Sequence, residues 1–284
     1  MKYYILYNPL AGHGDQAEKN SALKSHIDGE CVECDVTKIE SYSDFVKSLA
    51  PDDKIVISGG DGTINRFANS VDTDNITNDI LYYACGSGND FLHDIGKEPG
   101  CPPFKINEYL KNLPTVTVKG KDYRFINGVG FGIDGYCCEV GDKLKAEDKK
   151  VDYTAIAIKG LLYAFKPCGA HVVADGKEYS FKKAWIAPTM FGRFYGGGMM
   201  PTPDQDRNGD GRVSFMCFHT SGKLKTLMIF PSLFKGEHVK HTKFISVIKA
   251  KDVTVKFEKP CALQVDGETF LNVTEYTVHA NVNK

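Results

Sequence analysis

The chain has 284 residues, of which 42% are hydrophobic and 25% are charged, and its formal net charge at pH 7 is −1. The length favours two domains, and the composition is that of an ordinary soluble globular protein, which needs no disulfide or metal in order to fold. A net charge so close to zero argues against a nucleic-acid-binding protein driven by overall charge, although it leaves room for a local basic patch.

The cysteines and the apolar runs bear on the compartment of the protein. The nine cysteines are odd in number and irregular in spacing, and the first 24 residues show no signal-peptide pattern, so we expect reduced thiols in a cytoplasmic protein. Cys31 and Cys34 form a lone C-x-x-C pair, which favours incidental thiols over a metal or redox site. No run approaches the roughly 18 apolar residues of a spanning helix, so any membrane contact is predicted to be peripheral.

Strand and helix patterns alternate along the first part of the chain. Short apolar strands are predicted at 3–7, 31–37, 54–58 and 80–84, with helical patterns at 15–26, 43–49 and 64–70. This alternation predicts a parallel, Rossmann-like sheet in an α/β nucleotide-binding domain at 1–118, and ligands of such sheets bind at the carboxyl ends of the strands.

The pattern changes after about residue 115. Strands of a mainly antiparallel unit are predicted at 116–118, 123–127, 170–174, 183–188, 213–218 and 253–257, with helical stretches at 153–165 and 221–234. We therefore expect a β-rich, sandwich-like second domain at 119–274. The last strand, within 275–284, is compatible with either domain.

Three of the predicted parallel strands run into glycine-rich turns, at 8–14, 59–63 and 86–90. Glycine lets backbone N–H groups approach an anion, and the start of a following helix adds partial positive charge. Asp61 fits beside a phosphate only if a cation lies between them. One such turn would be read as a strand–helix turn with an Asp cap, but three at one sheet edge indicate a nucleotide-phosphate site.

Competing nucleotide motifs are absent from the sequence. There is no G-x-x-x-x-G-K-[ST] and no H-R-D or D-F-G segment, so the chain is neither a P-loop protein nor a protein kinase. The segment 130–135 matches G-x-G-x-x-G, but it lies in mid-chain without a convincing βαβ context. We interpret it as a turn of the second domain.

The motifs Asn-Pro-Leu-Ala-Gly at 8–12, Gly-Gly-Asp-Gly-Thr at 59–63 and Gly-Ser-Gly-Asn-Asp at 86–90 resemble the nucleotide-site signatures of the diacylglycerol kinase catalytic domain. That superfamily includes sphingosine, ceramide and bacterial lipid kinases. The resemblance continues through 125–127, 236–238 and 264–268, and so covers nearly the whole chain. It implies transfer of the ATP γ-phosphate to a lipid hydroxyl, most closely that of diacylglycerol, with Mg²⁺ as a second cofactor and the active site in a cleft between the domains.

The resemblance also implies site residues. It assigns Asp266 as the general base, Glu268 as its close partner and Asp61 as an organiser of the metal–phosphate network, and it leaves open which of Asp266 and Glu268 takes the proton. Val-Asp-Gly-Glu at 265–268 is also a hairpin-turn signal, and both interpretations are compatible. The implied nucleotide-binding residues are Asn8, Pro9, Leu10, Ala11, Gly12, Thr37, Gly59, Gly60, Asp61, Gly62, Thr63, Asn65, Gly86, Ser87, Asn89 and Asp90.

A second candidate metal site lies in the loop 204–214. Counted as a calcium loop from 206, it has Cys217 where the bidentate Glu is required, so we discount an EF-hand. In the family this segment holds a structural Mg²⁺, which here implies Asp210 with backbone carbonyls of Arg207 and Arg212. Ser214 stands where relatives often carry Asp. The alternatives are Ca²⁺ or a solvated acidic hairpin without a metal.

The expected partner is a lipid acceptor at a membrane surface, contacted peripherally, and no nucleic acid. Apolar helical stretches at 153–165 and 221–234 are core by default and could in part line an acyl groove, and lysines are dense from 223 to 251. Two rival functions remain: phosphorylation of a soluble nucleotide in the manner of NAD kinase, and a catalytically silent nucleotide-binding module. A homodimer is compatible with the sequence.

Overall fold

The computed structural model describes residues 1–9 and 16–281, and the chain forms two compact units that divide between Leu113 and Pro114. The first unit is α/β and the second is β-rich, which confirms the two-domain architecture expected from the sequence. Within the described residues, no helix is long and apolar enough to cross a bilayer.

The N-terminal unit, Met1–Leu113, contains a five-stranded sheet in the order β2-β1-β3-β4-β5. The strands are β1 Lys2–Tyr7, β2 Glu30–Asp35, β3 Lys54–Gly59, β4 Asp79–Ala84 and β5 Phe104–Lys105. The helices are α1 Gln16–Lys24, α2 Tyr42–Lys47, α3 Asp61–Ser70 and α4 Asp90–Asp94, with a 3-10 helix at Asn107–Leu110. The first four strands are parallel, as predicted, whereas β5 runs antiparallel to β4 and makes the sheet mixed.

The centre of this sheet explains its stability. Ile55, Val56 and Ile57 of β3 have no exposed surface, because β3 lies between β1 and β4 and both of its faces are covered. Branched apolar residues suit such a strand, since they pack well on a pleated surface. The consequence for function is positional: β1 to β4 all end at the same edge of the sheet.

In the described part of the C-terminal unit, 114–281, ten strands pair only in the antiparallel sense, in the main order β13-β12-β11-β8-β14-β15-β6-β7. The strands are β6 Thr115–Val118, β7 Lys121–Arg124, β8 Gly128–Gly132, β9 Cys168–Ala174, β10 Lys177–Ala184, β11 Ile186–Met190, β12 Val213–Phe218, β13 Ile245–Ala250, β14 Asp252–Val265 and β15 Glu268–His279. The long strand β14 pairs with β9 in its first half and with β8 in its second half. Between these halves, its register with β15 shifts.

The helical segments of this unit pack on one apolar core. They are α5 Ile133–Ala146, α6 Tyr153–Lys159 with a π-helical turn Gly160–Ala164, and α7 Lys223–Ile229, followed by 3-10 helices Phe230–Lys235 and Glu237–Lys240. Leu161, Ile229 and Leu233 are buried together around Trp185, whose Nε1 donates to the Ser221 carbonyl at 3.0 Å.

Three details of the second unit differ from the sequence-based expectations. The strand predicted at 183–188 is two strands, β10 and β11, which are separated at Trp185; Lys183, with a left-handed φ of 53°, lies at an irregularity in the pairing of β10 with β9. The segment 130–135 is not a turn but the junction of β8 with α5. The strand predicted near the C-terminus is β15, which begins earlier and pairs with β14 and β6.

Candidate functional site

The predicted nucleotide residues lie at the edge of the N-terminal sheet where the four parallel strands end. Asn8 and Pro9 follow β1, Gly60 to Thr63 follow β3, and Ser87 to Asp90 follow β4. Their convergence at one edge follows directly from the parallel register of β1, β3 and β4. Of the other predicted nucleotide residues, Leu10, Ala11 and Gly12 lie outside the described residues.

The second and third glycine turns are in direct backbone contact. The N–H of Cys85 donates to the Gly59 carbonyl at 2.9 Å. A Cβ atom placed on Gly86 would lie 2.5 Å from the Cα of Gly60, which no real Cβ contact allows. The approach of the two turns therefore requires glycine at 86, and it leaves little room for a side chain at 60, where an added Cβ would lie 3.0 Å from the Cα of Gly86.

Gly62 lies in a different environment. Among the residues that the structure describes, a Cβ atom on Gly62 would meet no atom within 4 Å outside its own helix backbone and chain neighbours, whereas one on Gly59 would lie 2.2 Å from Thr63 Oγ1. Packing within the unit therefore does not require glycine at 62. It leaves open space at the start of α3, where a helix offers backbone N–H groups to an anion.

Asp61 joins the same two turns through its side chain. Its Oδ2 accepts the N–H of Asp90 at 3.0 Å, and its Oδ1 accepts the N–H of Phe91 at 2.8 Å. These are N–H groups of the first turn of α4, which have no partner inside their own helix. Asp61 thus fixes the third turn to the second, a positioning role that sequence reasoning missed.

The remaining predicted nucleotide residues differ in exposure and in hydrogen-bond partners. Asn89 has a left-handed φ of 53°, and its Nδ2 donates to the Gly86 carbonyl at 2.8 Å. Ser87 is exposed beside it. Asn65 is buried in α3 and bonds Asn69. Thr37, after β2, uses its N–H and hydroxyl to bind the Asp35 carboxylate and thereby lowers the pKa of Asp35.

The two predicted acid–base residues lie at the hairpin between β14 and β15. Asp266 and Gly267 form its two-residue turn, with φ of 45° and 88°, as a type I′ turn requires. The Asp266 N–H donates to the Gly128 carbonyl at 2.9 Å. The turn chemistry read from the sequence is therefore correct, and it places Asp266 beside the start of β8.

The carboxylate of Asp266 accepts three backbone N–H groups. Ile126 donates to Oδ2 at 2.5 Å, and Asn127 and Gly128 donate to Oδ1 at 2.9 Å each. Three such donors stabilise the negative charge of the carboxylate and fix its orientation. Glu268 differs, because its side chain is exposed at the start of β15.

Sequence reasoning also missed a buried polar cluster next to this hairpin. Asp134, at the start of α5, is 5% exposed and accepts a hydrogen bond from the Tyr195 hydroxyl at 3.4 Å. Burial raises the pKa of Asp134 to about 7, and hydrogen bonds from the Gly135 backbone and from Tyr195 oppose part of that rise. Gln264 in turn accepts the N–H of Gly267 at 2.9 Å. The available signal was the Asp inside the glycine motif at 130–135.

The residues expected to hold a structural Mg²⁺ contact other protein groups in the structure. Asp210 lies 3.0 Å from Lys249 Nζ and 3.7 Å from Arg212 Nε, and the hydrogen bond from Lys249 lowers the pKa of Asp210. The Arg212 carbonyl accepts Gln205 Nε2 at 2.8 Å. Two protein cations thus balance the carboxylate, and one expected carbonyl ligand is already engaged.

Two neighbours complete this picture of the loop. Ser214 Oγ donates to Gln205 Oε1 at 2.6 Å, and the Arg207 guanidinium donates to Asn127 Oδ1 at 3.1 Å. In the described ranges 1–9 and 16–281, no three His, Cys, Asp or Glu side chains cluster so as to hold a metal. Gln205 and Lys249 therefore contribute contacts that hold the loop.

Comparison with known proteins covers both units. Residues 2–118 match the family model of the diacylglycerol kinase catalytic domain, and residues 127–280 match that of the YegS C-terminal NAD kinase beta sandwich-like domain. A diacylglycerol kinase of Mycobacterium tuberculosis is 24% identical over 270 residues, which span 90% of this chain and 85% of that protein. The same match is found in a second strain of that species. The crystal structure of a diacylglycerol kinase from Bacillus anthracis superposes with a TM-score of 0.66 at 20% identity, over 99% of this chain and 94% of that one.

Proposed function

The chain belongs to the family that joins a diacylglycerol kinase catalytic domain to a YegS C-terminal NAD kinase beta sandwich-like domain, and from this we propose that it is an ATP-dependent lipid kinase. The proposed reaction moves the γ-phosphate of ATP onto the free hydroxyl of diacylglycerol and yields phosphatidic acid. The observation that carries the proposal is the backbone contact of Gly60 with Gly86, beside open space at Gly62, in the unit that matches the catalytic domain.

The proposed nucleotide site uses backbone groups more than side chains. The start of α3 has no side-chain cap, so its first N–H groups are suited to bind the phosphates of ATP. Asp61 fixes α4 against this turn and contributes to the network around the nucleotide. Bound Mg²⁺ would supply neutralisation of the charge on the transferring phosphoryl group.

The proposed proton acceptor is Glu268, and Asp266 positions the hairpin that carries it. A lipid hydroxyl is a poor nucleophile until a base takes its proton. Asp266 is poorly suited to that task, because three backbone N–H groups already stabilise its charge. Glu268 follows two residues later with an exposed carboxylate.

The test measures transfer of label from γ-labelled ATP into diacylglycerol, sphingosine and ceramide in mixed micelles and into soluble NAD. Label in phosphatidic acid is the expected result, whereas label in NAD alone would replace the lipid-kinase proposal by the soluble-nucleotide alternative. Glu268→Gln is expected to lower kcat at least about 100-fold with unchanged thermal stability, since a general base contributes roughly that much.

Two further variants make the assignment specific. Glu275→Gln removes another exposed carboxylate of β15 and should keep full activity. Asp266→Asn should lower both activity and stability, because an amide accepts hydrogen bonds only through its single oxygen. If Glu268→Gln kept the wild-type kcat while Asp266→Asn lost it without unfolding, Asp266 would be the base.

A further inference from the structure

Two helical segments of the C-terminal unit expose large apolar side chains. Tyr163, Leu224 and Met228 are 76%, 74% and 68% exposed, and Ile158 and Phe234 are 45% and 44% exposed. Single exposed apolar residues are ordinary on protein surfaces, but a group of them usually marks an interaction site. These five come from only two stretches of chain, 153–166 and 222–235.

The two segments are neighbours and share a core. Leu161 of the first segment and Ile229 and Leu233 of the second are buried in the same apolar cluster. Lys223 Nζ also donates to the Leu162 carbonyl at 2.9 Å, which ties the start of α7 to the first segment. Their inner sides pack together, and we call their exposed side chains, Ile158, Tyr163, Leu224, Met228 and Phe234 with the lysines of the two segments, the lysine–apolar face.

The charge of this face is strongly one-sided. The stretches 153–166 and 222–235 contain five lysines and no Asp or Glu, although the whole chain has a net charge of −1. All five lysines are exposed: Lys159, Lys166, Lys223, Lys225 and Lys235. Long lysine stems can lie along apolar surface while their ammonium groups stay in water.

We propose that the lysine–apolar face docks on an anionic lipid bilayer. Apolar side chains between lysines are the composition of helices that lie in a membrane interface, with the lysines near the lipid phosphates. A second copy of this chain is a poor occupant, because a two-fold contact would set five lysines against five lysines. The proposal rests on the proposed function, since it brings the enzyme to the surface that holds its acceptor.

The test is co-sedimentation with vesicles that contain neither diacylglycerol nor ATP. Wild-type protein should bind vesicles of phosphatidylcholine with 30% phosphatidylglycerol at least about tenfold more tightly than pure phosphatidylcholine, and salt should weaken the binding. The double variants Leu224→Gln/Met228→Gln and Lys225→Gln/Lys235→Gln should each lose at least about tenfold. Since these side chains are exposed, both variants are expected to fold, which thermal unfolding checks.

Matched controls lie elsewhere on the same unit. Leu271→Gln changes an apolar residue that is 47% exposed on β15, and Lys121→Gln changes an exposed lysine of β7. Both should bind vesicles as wild type does. If the controls lost as much vesicle binding as the double variants, or if the double variants lost none, the assignment of the face would be overturned.

An activity measurement separates this proposal from the proposed function. With dioctanoylglycerol below its aggregation concentration, the double variants should phosphorylate the acceptor at the wild-type rate, while their rate on diacylglycerol in vesicles falls. Kinase activity without any vesicle binding would overturn the docking proposal alone. Vesicle binding without phosphorylation of any lipid would overturn the kinase proposal alone. If the wild type were a dimer and the Leu224→Gln/Met228→Gln variant a monomer, and the two bound vesicles equally, the face would be assigned to self-association.

Discussion

At the scale of single residues, glycines of similar appearance in the sequence have different physical roles. Gly86 is fixed by the backbone of Gly60, whose Cα would lie 2.5 Å from an added Cβ. A Cβ added to Gly62 would meet none of the other described residues within 4 Å, its own helix backbone and chain neighbours aside. A substitution at each position therefore separates what the fold requires from what the proposed ligand requires.

Gly86→Ala and Gly62→Ala are expected to have opposite effects. Gly86→Ala should lower the free energy of unfolding by about 1 to 3 kcal/mol, because two backbones must move apart. Gly62→Ala should keep or raise it, by up to about 1 kcal/mol, because alanine favours the helix. Gly62→Ala should nevertheless weaken ATP binding, since its methyl group enters the open space. Urea unfolding and titration calorimetry with ATP measure the two quantities, and unchanged ATP affinity in Gly62→Ala would place the phosphates elsewhere.

Asp134 gives a residue-scale prediction about pH. Its folded-state pKa of about 7 lies above the ordinary value of 3.8, so the folded protein holds this proton more tightly than the unfolded chain does. Stability from this group is therefore greatest below about pH 4 and declines as the pH rises to about 7. The Cys137, Cys138 and Cys261 thiols nearby stay protonated in this range, because burial raises their pKa to about 12, and burial also raises the pKa of Tyr195.

The variant Asp134→Asn tests this directly. Between pH 5 and pH 8 the wild type should lose roughly 2 to 3 kcal/mol more of its unfolding free energy than the variant, since one unit of pKa corresponds to about 1.4 kcal/mol. Chemical unfolding of both proteins at the two pH values measures the difference. Other titrating groups cancel in this comparison. Parallel pH dependences would mean that Asp134 is ionised throughout.

At the scale of elements, local patterns predicted most strands but not the glycine strand β8. Branched apolar runs identified β1, β3 and β4, because such residues favour central strands whatever their partners. β8 lacks that signal, since three of its five residues are glycine. A Cβ on Gly130 would lie 2.8 Å from the Cα of Pro188, so β8 is specified by close approach of β11. Contacts with a partner so distant in sequence cannot be read from local composition.

The predicted site was correct in its turns and incomplete in its contacts. Spacing placed the glycine turns at one sheet edge, and Asp-Gly at 266–267 gave the hairpin. The contacts of Asp61 with α4 and of Lys249 with Asp210 could not be predicted, because each joins segments about 30 or more residues apart without a motif.

The loop before β12 yields a prediction about metal. When no nucleotide is present, neither added Mg²⁺ nor EDTA should change the melting temperature of the wild type, because Lys249 and Arg212 already balance the charge of Asp210. Lys249→Gln should lower the free energy of unfolding by less than about 1 kcal/mol, as is usual for an exposed ion pair. In this variant, added Mg²⁺ should raise the melting temperature. Lys251→Gln, which changes a nearby exposed lysine, is the control. If EDTA lowered the melting temperature of the wild type, a bound metal ion would again be assigned to this loop.

At the scale of the whole molecule, charge and function are distributed unevenly. The chain is nearly neutral, yet five lysines without a single acid lie on the two segments of the lysine–apolar face. The N-terminal unit has the glycine turns, and the C-terminal unit has the hairpin with Asp266 and Glu268. Under the proposed function, neither unit alone would be a kinase.

The pairing of the hairpin with β8 also has a consequence for biosynthesis. Asp266 binds N–H groups of residues that precede it by 138 to 140 positions. At translation rates of about 5 to 20 residues per second, β8 leaves the ribosome roughly 7 to 28 s before its partner is made. During that interval the glycine turns have already been synthesised, and the edge of β8 that later pairs with β14 has no partner. An unpaired strand edge can pair with the wrong strand. The hairpin with Asp266 and Glu268 can therefore pair with β8 only after residue 268 has been made, so a product truncated before that point would lack it.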